Sequence, residues 1–98
     1  MATLIRVDGT KEEVDIPKGT GNLEFLQGLV GGMIELVPTL GEAAKQAGFV
    51  ELLCDEEGKL KYKPVNEVAT VLAGRDGRYD ICDPLCGDCL FCKEGELE

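Results

Sequence analysis

Histidine is absent from this sequence of 98 residues, and so is tryptophan. Without histidine the chain lacks the general base of Ser-His-Asp and Cys-His catalysis and the usual proton shuttle of neutral pH. Zinc sites with a histidine ligand are excluded for the same reason. Acid–base catalysis would need a carboxylate, lysine, tyrosine or cysteine with a shifted pKa, and no pattern in the sequence indicates one.

Positive charge is also scarce, because 10 lysines and arginines stand against 19 aspartates and glutamates, giving a net charge of −9. An acidic surface repels phosphate backbones. The two tyrosines and three phenylalanines offer few rings on which bases could stack. We therefore expect a protein or a small molecule as the partner, and no nucleic acid. The acid excess favours solubility or docking on a basic partner surface.

Long hydrophobic runs are missing as well, since none approaches the roughly 20 residues that a membrane-spanning helix needs. The first residues lack the basic and then apolar pattern of a secretory signal, so we expect a cytoplasmic protein without a membrane segment. The 44% hydrophobic and 30% charged residues are typical of a globular chain. The length predicts a single domain over residues 1–98, and we expect 93–98 to form a disordered tail.

Hydrophobic periodicity predicts an α+β fold, with an antiparallel or mixed sheet of five to six strands. One main helix is expected over residues 23–30, with Asn22 as its N-cap and a Gly-Gly pair after its last residue. The predicted short helices are 39–48 and 64–72, and the predicted strands are 3–7, 13–16, 33–37, 49–54 and 59–63. Residues 85–92 would add a closing strand if they are extended. Turn residues at 55–58 predict a hairpin that joins the fourth strand to the fifth.

Four blocks of the chain resemble one family of proteins. Residues 23–37 are similar to the signature Leu-x-x-Leu-Gln-x-x-Val-Gly-Gly-x-Ile-Glu of domain-of-unknown-function family 3846. The other blocks are 56–60, 64–66 with Ala69, and 83–92. Members are common in phages, plasmids and integrated elements. The resemblance therefore implies an accessory protein of a mobile genetic element, and it supplies no catalytic residues.

Five residues in these blocks are candidates for binding a ligand or for structural hydrogen bonds: Gln27, Gly31, Gly32, Glu35 and Asn66. A Gly-Gly pair can approach a phosphate with its backbone N–H groups. Phosphate sites, however, prefer a glycine loop before a helix rather than after one, so a helix cap is the favoured interpretation. For the three polar side chains, capping and buried hydrogen bonding are the alternatives to a ligand role.

The sequence has five cysteines, and four of them, Cys82, Cys86, Cys89 and Cys92, follow a C-x3-C-x2-C-x2-C spacing. Four thiolates can hold zinc tetrahedrally, and C-x2-C turns suit a metal knuckle. Three of these cysteines together with Cys54 could instead ligate an iron–sulfur cluster. A zinc or iron–sulfur module is therefore an alternative to a binding protein without a cofactor.

Two other interpretations of the cysteines stay open. If residues 85–92 form a strand, Cys86 and Cys92 face one side and Cys89 the other, and all three pack as small hydrophobic residues. The Cys86-Gly87-Asp88-Cys89 segment is also a C-x-x-C of the type found in thiol–disulfide oxidoreductases, where the first cysteine begins a helix. Only nine residues follow Cys89, which leaves little room for that helix. We therefore favour a small non-enzymatic binding protein.

Overall fold

A computed structural model describes residues 1–18, 22–37, 41–58, 60–75 and 84–95 of the chain. Its elements in chain order are β1 (Ala2–Ile5), β2 (Lys11–Val14), α1 (Asn22–Val30), β3 (Ile34–Leu36), α2 (Glu42–Gln46), β4 (Phe49–Asp55), α3 (Glu67–Leu72) and β5 (Cys89–Lys93). The strands form one antiparallel sheet in the order β2-β1-β5-β4-β3. The predicted α+β fold is confirmed.

Both faces of the sheet are covered, because β5 and its neighbours carry apolar side chains at successive positions. Cys89 and Phe91 lie in a cluster with side chains of α2 and α3. Leu90 and Cys92 lie in a second cluster with Leu26 and other residues of α1. Successive residues of a strand point to opposite faces, so β5 contributes to two hydrophobic layers. The alternation expected if residues 85–92 form a strand is found for residues 89–92, whereas Cys86 lies before the strand.

Helix α1 packs through Leu26 and Val30, which are one turn apart and both buried. It ends where the N–H groups of Gly31 and Gly32 donate to the carbonyl oxygen of Gln27, at 2.8 and 3.1 Å. Gly31 has a φ of +80°, a left-handed conformation that glycine adopts without a steric penalty. The predicted helix cap is confirmed, and the helix begins at Asn22, one residue earlier than predicted.

The predicted strand at 59–63 is wrong over its described residues, since 60–62 form a turn; Lys59 lies outside the described residues. The N–H of Lys61 donates to Glu57 O at 2.9 Å, and that of Lys63 to Gly58 O at 3.0 Å, as in a helical turn. Tyr62 between the two lysines has a φ of 56°. Lys61 and Lys63 lie on the same side because both pair with the buried carboxylate of Asp55, not because they belong to a strand.

Two segments near the third helix are shorter than predicted. Helix α3 begins at Glu67 rather than residue 64, because Asn66 caps it. The closing strand begins at Cys89 rather than residue 85, and Cys86 before it makes an isolated bridge with Val65.

The carboxyl-terminal end of the described chain stays close to the sheet. Lys93 belongs to β5, residues 94 and 95 form a turn, and Lys18 Nζ donates to Gly95 O at 2.7 Å. The rest of the predicted tail, 96–98, lies outside the described residues. Among the helices that are described, none has the length and apolar character to cross a membrane.

Candidate functional site

A cleft of about 310 Å³ opens beside the edge strand β3. Its walls come from four separate parts of the chain: β3 with Val37, the end of β4 with residues 56, 58 and 60 after it, Arg75, and the segment 84–86 that leads into β5. Two exposed carboxylates, one guanidinium and two thiols line it, from Glu35, Glu56, Arg75, Cys54 and Cys86. Apolar side chains complete the lining, among them Val37, Leu60 and Leu85.

Strand pairing directs Glu35 into this cleft. Glu35 lies opposite Cys54 in the β3–β4 pair, on the same face as Val37, whereas Ile34 packs against the α1 layer. The Glu35 Oε1 and Cys54 Sγ atoms are 3.9 Å apart. Burial, and then the charge of Glu35, raise the pKa of the Cys54 thiol to about 11. The sulfur therefore stays protonated at neutral pH.

A buried carboxylate follows Cys54 at the end of β4, on the opposite face of the sheet. The Asp55 side chain is 0% exposed and pairs with Lys61 Nζ at 3.0 Å and Lys63 Nζ at 2.6 Å. It also accepts a hydrogen bond from the N–H of Glu57 at 2.9 Å. Burial alone would raise the pKa of Asp55, but the hydrogen bonds from Lys63, Glu57 and Lys61 lower it to about 2. We call Asp55, Lys61 and Lys63 the Asp55 cluster.

The Gly-Gly pair of the family signature lies against the Asp55 cluster. Lys63 Nζ donates to Val30 O at 2.9 Å and to Gly31 O at 3.3 Å, at the end of α1, where a positive charge complements the helix dipole. A Cβ on Gly32 would lie 2.6 Å from both carboxylate oxygens of Asp55 and 2.6 Å from Lys61 Nζ. The pair therefore ends the helix and leaves room for the cluster; neither glycine lines the cleft.

Asn66 has a structural position, and it is 0% exposed. Its Nδ2 donates to Ile5 O at 2.7 Å and to Gly87 O at 3.0 Å, and its Oδ1 accepts from the N–H of Ala69 at 3.1 Å. Its own N–H donates to Leu85 O at 2.7 Å. Both amide donors are thus occupied. The side chain joins β1, α3 and the segment before β5, and we call these contacts the Asn66 clasp.

Gln27 is placed away from the cleft, on α1. Its Nε2 lies 3.5 Å from Met33 Sδ, and its carbonyl oxygen accepts from the two glycines that end the helix. Of the five candidate ligand residues in the sequence, only Glu35 lines the cleft.

The candidate metal ligands are distributed over several surroundings. Cys86 is half-buried in the cleft wall, while Cys89 and Cys92 are both 0% exposed and belong to opposite faces of the sheet. Cys82 lies outside the described residues. Within 1–18, 22–37, 41–58, 60–75 and 84–95, no three His, Cys, Asp or Glu side chains are grouped so that they could hold a metal ion. The four described cysteines are free thiols.

The C-x-x-C segment runs into β5 rather than into a helix. Burial, and then the nearby charge of Cys54, raise the pKa of Cys89 to about 12. The sulfur lies 3.5 Å from Gly87 O, to which it donates. Thiol–disulfide enzymes instead lower the pKa of a cysteine at a helix N-terminus. The surroundings of Cys89 instead raise the pKa of its thiol.

Sequence reasoning missed Asp55 and Arg75, and it placed Lys61 and Lys63 in the predicted strand 59–63. One signal was present for the first of them: Asp55 continues a buried strand, and a buried carboxylate needs partners, which the two alternating lysines downstream supply. Arg75 carries no comparable local signal, because only the packing of α3 brings it to the cleft.

The fold and the cleft define a small α+β domain with an open site of mixed chemistry. The family model described as Domain of unknown function (DUF3846) matches residues 1–98, and the chain belongs to that family, as the resemblance predicts. No curated protein matches the chain, and no solved structure does.

Proposed function

We propose that this chain is a non-enzymatic binding protein and that the cleft beside β3 is its ligand site. The carrying observation is that the cleft collects carboxylates, a guanidinium and apolar side chains from four separate segments. Ligand sites combine an apolar lining with a few convergent polar groups in this way. A volume of about 310 Å³ is at the small end of the range for such sites, which favours a small ligand.

The charges of the lining favour a zwitterionic ligand of amino-acid or dipeptide size. Glu35 and Glu56 form no ion pair with another residue in the described part of the chain, so both carboxylates are available to an ammonium group. The Arg75 guanidinium carries several N–H donors, which suit a carboxylate. Apolar side chains such as Leu60 and Leu85 would contact the ligand's aliphatic part.

Two shifted pKa values support binding rather than catalysis. The pKa of Asp55 is lowered to about 2, and that of Cys54 is raised to about 11. A general acid or base works best when its pKa lies near the operating pH. Both groups are shifted away from neutrality, so neither is suited to move protons there.

Titration of the protein with three forms of the dipeptide Ala-Leu, followed by amide NMR shifts, tests the proposal. The forms are the free dipeptide, its N-acetylated form and its C-terminal amide. We expect the free dipeptide to bind most tightly, with shifts at Glu35, Glu56 and Arg75. Each blocked form should bind about 5- to 10-fold more weakly, because one charge-assisted contact is worth roughly 1 to 1.5 kcal/mol.

Matched variants sharpen this test. Glu35→Gln and Glu56→Gln should weaken binding of the free dipeptide and leave that of the N-acetylated form unchanged. Glu57→Gln is the control, since Glu57 is exposed and adjacent in sequence but does not line the cleft. Equal affinity for all three forms, or shifts outside the cleft, would overturn the proposal.

The family resemblance supports a setting for this binding protein: an accessory protein of a mobile element, in the cytoplasm of a bacterial host. Native mass spectrometry of protein purified from such a host without chelator addresses the setting and the alternatives together. A retained mass of amino-acid or dipeptide size supports the proposal. Stoichiometric zinc or iron would replace it with the cysteine-cluster hypothesis.

A further inference from the structure

Two buried thiols lie opposite each other on neighbouring strands. The β4–β5 register pairs Leu52 with Phe91 and Leu53 with Leu90, and one further step places Cys54 opposite Cys89. The two segments stay adjacent beyond that point, since a Cβ on Gly58 would lie 3.0 Å from the carbonyl oxygen and 3.6 Å from the Cβ of Cys86. Cys54 and Cys89 also belong to the same core cluster.

The hydrogen-bonding pattern of the sheet indicates that Cys54 and Cys89 form a closely spaced pair. The N–H of Val37 donates to Leu52 O at 2.8 Å. Leu52 therefore directs its backbone N–H and C=O groups toward β3, and so does Cys54, which lies two residues further along β4. Leu53 therefore bonds toward β5, and Cys54 and Cys89 occupy a non-hydrogen-bonded pair. In such pairs the Cα atoms are about 4.5 Å apart and the side chains approach most closely. Disulfides span Cα separations of about 4.4 to 6.8 Å.

We propose that Cys54 and Cys89 are a redox pair that closes into a cross-strand disulfide when a small disulfide reaches the cleft. Cys54 lines the cleft, whereas Cys89 is 0% exposed, so Cys54 reacts first. Its thiolate attacks one sulfur of oxidised glutathione and releases one glutathione thiolate. The Cys89 thiolate then attacks Cys54 Sγ in the mixed disulfide and releases a second glutathione. The two protons leave with the two glutathiones, so the cysteines are oxidised and the reagent is reduced.

Oxidation of this pair would change the cleft. In the reduced protein Cys54 Sγ contacts the Glu35 carboxylate, and a bond to Cys89 turns the sulfur away from it. Where the cleft binds a ligand, as proposed above, its affinity then depends on the redox state. Because burial raises the pKa of both thiols, the exchange should accelerate as the pH rises above neutrality.

Peptide mapping of folded wild-type protein tests the inference without any ligand. The reduced protein is incubated with excess oxidised glutathione, alkylated, and digested with trypsin and with a protease that cleaves before Asp88, which separates Cys86 from Cys89. Fragmentation of the linked peptide 88–93 then distinguishes Cys89 from Cys92. We expect one dominant link, between Cys54 and Cys89. Quantitative alkylation of Cys54 after oxidation, or a dominant link from Cys54 to any other cysteine, overturns the inference.

Alanine variants provide the matched control. Cys92 is as buried as Cys89 and lies on the same strand, but it faces the other side of the sheet. Cys92→Ala should keep the wild-type link, and Cys89→Ala should lose it; loss in both variants counts against the pair. If a variant does not fold, the wild-type map decides. Since the map involves no dipeptide, its failure is distinguishable from failure of the proposed function.

Discussion

Two buried polar centres hold the loops of this domain, and they differ in charge. The Asn66 clasp is neutral and joins three segments through one amide. The Asp55 cluster is ionic and joins the end of α1 to residues 60–63 through one carboxylate and two lysines. An amide buried at 0% exposure has no access to water when its partners are lost, whereas Lys61 is 41% exposed. The clasp contains no titratable group and is therefore independent of pH, while the cluster can be released by protonation of Asp55.

The largest effect is expected for Asn66→Ala, which removes three side-chain hydrogen bonds and leaves a cavity. Unfolding in urea should show a loss of about 3 to 4 kcal/mol, because buried backbone groups lose their partners. Gln27→Ala is the comparison, since that amide is only half-buried, and it should cost under about 1 kcal/mol. Similar losses in the two variants would contradict the clasp.

A smaller effect that depends on pH is expected for Asp55→Asn. Its lowered pKa contributes stability that is fully present above the ordinary value of 3.8 and is lost as the pH falls toward about 2. At pH 7 the variant should lose about 2 kcal/mol, since Lys63 is left without its carboxylate. The difference from wild type should vanish as the pH approaches 2. In Asn66→Ala the loss should not change over this range, and parallel pH curves for wild type and Asp55→Asn would argue against the ionic cluster.

The smallest effects are expected for two glycine-to-alanine substitutions, which should change the stability in opposite directions. Gly32→Ala should cost about 1 to 2 kcal/mol, because the added methyl group overlaps the Asp55 carboxylate. Gly28→Ala, on α1 with no atom within 4 Å of the new Cβ, should stabilise by about 0.5 to 1 kcal/mol. Combining Gly32→Ala with Asp55→Ala in a double-mutant cycle should recover part of the cost. Strict additivity would show that the Gly-Gly pair does not accommodate the cluster.

Local signals were sufficient for much of the fold. Leu26 and Val30 at helical spacing, followed by Gly31, located α1 and its end, and the alternation of residues 89–92 located the two faces of β5. The 59–63 segment could not be predicted locally, because alternating lysines fit an edge strand as well as a turn around a buried acid. Glu35 was identified as a candidate, but the cleft was not, since its walls meet only after β3, β4 and α3 have packed.

The position of β5 has a consequence for how the chain is made. In the part of the chain that the structure describes, the strand that comes last in sequence is the middle strand of the sheet, between β1 and β4. As the protein leaves the ribosome, β1–β2 and β3–β4 can pair locally, but each keeps an open edge until residues 89–93 emerge and join them. While residues 56–88 are being made, the nascent chain therefore carries one unpaired edge on β1 and another on β4, and insertion of one five-residue segment pairs both of them.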